Sequence, residues 1–175
     1  FYGGLVRKKN VVNTMMTSIF IIGIGIVMWV LFGYSLSFAP SGNAFIGDFR
    51  WLGLEGVSLT EGYTDDASIP NMVFSAFQMM FAVITPALIT GAVAGRMKFK
   101  SIFVFTIFWS LIVYYPLAHM VWGQGGLLGA DGIGALDFAG GDVVHISSGV
   151  SALVLCILLG KRHDYEHSIY RIHNI

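Results

Sequence analysis

Residues 122–160 read WGQGGLLGADGIGALDFAGGDVVHISSGVSALVLCILLG. The first half is glycine-rich. The second half, from 143 to 160, contains no Asp, Glu, Lys or Arg and holds a histidine, His145, near its start. A spanning helix needs about 20 apolar residues, with a range of roughly 17–25. The run 143–160 is long enough to fill that role. An ionisable side chain at membrane depth marks a functional site unless shown otherwise, so His145 is the first candidate for chemistry.

Working outward, three further stretches lack charged residues: 11–47, 67–95 and 101–130. Together the four predict helices at 14–37, 71–95, 101–122 and 140–160, with connecting loops at 38–70 and 123–139. The chain is 55% hydrophobic and 11% charged, against roughly 25% charged in soluble domains. Too few polar residues remain to coat four such helices in water. The reading is an all-α integral membrane protein, multi-pass in the cell membrane.

The charges separate by sign. Arg7, Lys8 and Lys9 precede the first span, Arg96, Lys98 and Lys100 lie between the second and third, and Lys161, Arg162 and Arg171 follow the fourth. The other two loops carry Asp48, Glu55, Glu61, Asp65 and Asp66, then Asp131, Asp137 and Asp142, with Arg50 as the exception. The positive-inside rule puts the basic ends in the cytoplasm and the loops 38–70 and 123–139 outside. Phe1 without an initiator Met reads as a piece of a longer chain. Cys156 is the sole cysteine, so it closes no disulfide within the chain.

Several side chains are candidates for a site, each with two readings. A neutral imidazole at His145 offers one donor and one acceptor. That suits a small hydrogen-bonding solute in an apolar path, or a structural bond to a neighbouring helix. Asp137 reads as a carboxylate receiving backbone N–H groups at the start of the fourth span, or as a cation ligand. Phe74, Phe77 and Phe81 are spaced to share one helix face. With Trp122 they offer ring faces to a cation, or ordinary packing. His119 lines the same region or sits at the interface, and Gln78 faces protein rather than lipid. His163, His167 and His173 read as solvated histidines. Gly91 and Gly95 form a G-x-x-x-G pair that favours close helix packing, and Pro86 and Pro116 each remove a helical hydrogen bond. The glycines of 123–141 carry no Gly-Lys-Ser/Thr, so they read as tight turns and close backbone approach, not a phosphate loop. No nucleophile–base pair, metal cluster or cofactor motif supports an enzyme.

Three segments carry a family resemblance. FYGGLVRKKN at 1–10, AHMVWG at 118–123 and GALDFAGG at 134–141 followed by His145 resemble the ammonium transporter family (Amt/Mep/Rh), Amt-like branch, essentially end to end. The resemblance implies part of an eleven-helix inverted-repeat fold, about spans two to five, in a homotrimer with one pore per subunit. It implies that Phe77 and Trp122 form a vestibule that recruits ammonium, that Phe81 is one of two gate phenylalanines, and that His145 is the first of two pore histidines. Asp137 then supports the recruitment site. The second histidine, second gate ring and a vestibule serine belong to the family's other half. The implied substrate is ammonium/ammonia, with no cofactor or metal, no nucleic acid and a cytoplasmic PII-type protein as regulator. An ammonium sensor of the same fold is the alternative. A generic ion channel would need a polar pore lining, which these spans lack.

Overall fold

The structure, a computed structural model, describes residues 1–40, 43–130, 132–162, 165–166 and 171–174. Asp131, His163 and His167 lie outside them. After a single turn, α1 (Tyr2–Leu5), four helices are long and apolar enough to cross a membrane: α2 (Lys8–Phe38), α3 (Asn71–Val93), α4 (Phe99–Trp122) and α5 (Gly141–Leu159). Among the described residues there is no strand, only one isolated bridge between Gly62 and Pro70. In lipid every backbone polar group must be satisfied within the segment, and helices of this composition do that. Hydroxyls inside the spans obey the same requirement. Thr14, Thr17 and Ser18 each donate to the carbonyl one turn back.

The predicted spans agree closely with the helices. The first starts earlier than 14, because the turn Lys8–Asn10 runs into it. The G-x-x-x-G reading does not hold as one motif. Gly91 does approach a neighbour closely, since a Cβ there would stand 3.3 Å from the Tyr2 ring. Gly95 instead lies beyond the last residue of α3 at φ +72°, a left-handed turn that ends the helix. The tight crossing of α2 and α3 is at Gly25, where a Cβ would stand 2.9 Å from Val83.

Pro86 and Pro116 behave differently. Around Pro86 the helix stays regular, and Thr85 donates to the Phe81 carbonyl. Before Pro116 the chain widens into a π-turn at Ser110–Tyr114. A wider turn relieves the clash between the proline ring and the carbonyl four residues back. A second π-turn, Trp29–Gly33, lies within α2.

The helices alternate in direction, which gathers the basic residues at one end. There Arg96 at the foot of α3 donates to the Gly160 carbonyl at the foot of α5 (2.8 Å), to Ala92 and to Cys156 Sγ (3.0 Å). At the other, acidic end an aromatic core forms. Trp29 is buried and its indole N–H donates to Ser75 O at 3.1 Å, so this donor is satisfied within the apolar core. Tyr34 stacks on Trp51 at 5.4 Å and donates to Asn71. The outer surfaces of the helices remain apolar, with Ile19, Val27, Ile112, Leu153 and Ile157 exposed, as a lipid neighbour requires.

Candidate functional site

The loop after α2 folds back over the acidic end. Ser35 Oγ donates to Asp48 O (2.8 Å) and accepts the Trp51 N–H (3.0 Å), and Gly47 N–H donates to Leu36 O at 2.7 Å. Arg50 pairs with Asp48 at 2.7 Å and holds that exposed carboxyl below its usual range through their side-chain hydrogen bond. His119 is fully buried and is not part of an open mouth. Its Nδ1 lies 3.1 Å from Ser37 O and its Nε2 lies 2.8 Å from Asn43 O, so the imidazole ties α4 to the end of α2 and to the loop. Replacing His119 by Leu is expected to cost about 1–3 kcal/mol, since it strands polar groups at a buried junction. A lowered melting temperature in detergent checks this.

Tyr63 is the second anchor. Its hydroxyl donates to Phe38 O at 3.1 Å and accepts the Gln124 N–H at 3.1 Å, while its own carbonyl accepts Gln124 Nε2 at 3.1 Å. Burial pushes the Tyr63 phenol up to about 12, against a smaller lowering by the Gln124 N–H. The hydroxyl therefore keeps its proton at neutral pH. Neither Tyr63 nor Gln124 stands out in the sequence. They are 61 residues apart and their pairing has no local signal.

Between these anchors lies a chain of three rings. Phe77 meets Phe81 edge-on at 5.1 Å, and Phe81 meets Trp122 at 6.0 Å and 61°. Phe77 is 53% exposed, whereas Phe81 and Trp122 are half-buried. Phe74 does not join them despite its spacing. It turns inward and stacks on Tyr63 at 4.9 Å, with Phe38 edge-on at 5.2 Å. Gln78 is buried, and its Oε1 accepts no hydrogen bond among the described residues.

The glycine-rich connection brings the chain into α5. Gly140 adopts φ +73°, and a Cβ there would press on Val144 at 3.1 Å. Asp137 precedes the helix by four residues rather than starting it, and its Oδ2 accepts the Val143 N–H at 3.3 Å. Its other oxygen, Oδ1, is buried with no hydrogen-bond partner among the described residues. The first turns of α5, Gly141–Ile146, are π-helical. His145 sits there with its side chain exposed, and no hydrogen bond joins its imidazole to another described residue or to the three rings. A structural bond to a neighbouring helix is thus not seen within these four spans. Among the described residues no three His, Cys, Asp or Glu side chains gather as metal ligands.

Four apolar helices, each long enough to cross a bilayer, define a multi-pass membrane protein. The chain belongs to the Ammonium Transporter Family, whose sequence profile it matches over residues 1–175. It is 55% identical over 164 residues to "Ammonium transporter" of Bacillus subtilis (strain 168), covering 94% of this chain and 39% of that protein. It is 41% identical over 195 residues to "Ammonium transporter" of Mycobacterium tuberculosis (strain ATCC 25618 / H37Rv), covering all of this chain and 41% of that one. The crystal structure of Candida albicans Mep2 superposes with a TM-score of 0.77 at 34% identity, over 99% of this chain and 38% of that chain. The chain therefore spans about two-fifths of the length of these relatives. The Bacillus and Mycobacterium relatives are named as transporters, not enzymes.

Proposed function

We propose that this chain forms part of the first half of an ammonium transport pore. The observation that carries the reading is the ring chain of Phe77, Phe81 and Trp122, which presents aromatic faces at the acidic end of α3 and α4. A bare cation enters an apolar path only at high cost. Aromatic faces offset part of it, at roughly 0.5–2 kcal/mol per cation contact. In this reading ammonium is held at Phe77 and Trp122 and gives up its proton near Phe81. Ammonia then crosses beside His145, whose imidazole replaces water as a hydrogen-bond partner. Potassium has no proton to release and stays outside. Asp137 braces the start of α5, and so the placement of His145, through Val143 N–H. The second pore histidine and second gate ring come from the other half of the protein. The reading carries a homotrimer with one pore per subunit, and a PII-type protein as cytoplasmic regulator.

The test uses the full-length protein in proteoliposomes. Ammonium uptake and current are recorded after a concentration jump, with potassium as control, for wild type and His145→Ala. Ammonium-specific uptake that the substitution alters is the expected result. Folded, trimeric protein that gives neither uptake nor current would overturn the transport reading and leave the sensor.

A further inference from the structure

We propose that Tyr63 and Gln124 clamp the outer end of α4 and set the position of Trp122, and through it the affinity of the mouth for the incoming cation. This inference rests on the function proposed above.

Trp122 is the last residue of α4. Beyond it the backbone turns extended at Gly123 (φ −74°, ψ 151°), so no further helical turn holds the indole from that side. Two attachments directly follow it in the chain. On the helix side, Gly123 N–H donates to His119 O at 2.9 Å. On the loop side, Gln124 is gripped twice by Tyr63, through its backbone N–H and through its side-chain amide. Tyr63 is itself well fixed. Its hydroxyl uses both its donor and its acceptor capacity. Its ring lies parallel to Phe74 at 7° and edge-on to Phe38 at 5.5 Å. The loop thus transmits the position of α2 and α3 to a residue two places beyond Trp122.

A cation held on a ring face depends on where that face stands. Supporting contacts that hold such a ring decide how well the site is preorganised. Tyr63 and Gln124 have no ring or amide in the three-ring chain itself. They are positioning residues, and their effect falls on binding rather than on passage.

Tyr63→Phe keeps the ring and removes only the hydroxyl. In proteoliposomes of the full-length protein it is expected to raise KM for ammonium uptake about three- to ten-fold, the factor set by losing the one of the hydroxyl's two hydrogen bonds that holds Gln124 N–H, with Vmax unchanged. In a Trp122→Leu background the same substitution is expected to leave KM where Trp122→Leu alone puts it. An unchanged KM in Tyr63→Phe overturns the inference. So does a fall in Vmax alone, or an equal KM shift in both backgrounds, because each marks a structural role independent of Trp122. If Tyr63→Phe fails to fold, Gln124→Ala, which removes one arm at an exposed residue, carries the same comparison with the same outcomes. Wild type is read first. If it takes up no ammonium, the proposed function fails there, before any variant is compared.

Discussion

Replacing His145 by glutamate is expected to lower the preference for ammonium over potassium at least about tenfold, a change of only about 1.4 kcal/mol. The wild-type imidazole carries no negative charge and gives a bare cation no electrostatic compensation. An unpaired charge in an apolar segment costs several kcal/mol, and in this reading that cost keeps potassium out. A carboxylate at the same position offers an opposite charge and lowers the barrier for both cations. Selection by proton loss is then bypassed. Currents in ammonium and in potassium, recorded on the same proteoliposomes, measure the ratio. An unchanged ratio would remove His145 from the conduction path, while ammonium transport itself would stand or fall on the wild-type record.

The second large effect concerns folding. Gly126→Ala is expected to destabilise the protein by about 3 kcal/mol, at the upper end of what overpacking usually costs. An added Cβ would lie 2.3 Å from His119 O and 2.5 Å from Met120 O. Both are backbone atoms at the end of α4, so no side chain is free to swing away. The same carbonyls are in use. Gly123 N–H donates to His119 O, and Leu128 and Gly129 donate to Met120 O at 2.8 and 2.9 Å. Any shift therefore breaks the turn that follows Trp122. Gly149→Ala is the control. It lies within α5 with nothing inside 4 Å of an added Cβ, and alanine is the better helix former by roughly 0.5–1 kcal/mol. Folded yield and melting temperature in detergent separate the two. Equal behaviour of the two variants would show that the glycine-rich turn tolerates side chains.

Much of the architecture was legible before any coordinates. The helices expected at 14–37, 71–95, 101–122 and 140–160 lie within a few residues of α2, α3, α4 and α5, apart from the earlier start of α2. Of the two readings of Asp137, backbone support or cation ligand, the Val143 N–H it accepts matches the first, although it stands four residues before the helix. Where spacing left alternatives open, distant contacts decided. Phe74 has the spacing of Phe77 and Phe81, and of its two readings packing holds, because Tyr63 and Phe38 draw it into the core. Gly95 has the spacing of a packing motif, yet the helix has already ended before it. The distance of His119 from Trp122 suggests the vestibule or the interface, yet it is buried against the end of α2 and the loop after it, through contacts at separations of 82 and 76.

The sequence by itself determined that the chain crosses a membrane as helices, where those helices lie and which ends are basic. In lipid each backbone group must be satisfied close by along the chain, so length and apolarity suffice to specify a span. Only the tertiary structure decided which aromatic rings meet, what holds Trp122, and that the His145 imidazole bonds to none of the described residues. Those outcomes depend on contacts such as Tyr63 with Gln124, 61 residues apart. Spacing along one helix records which residues share a face, but not what the rest of the chain brings against it.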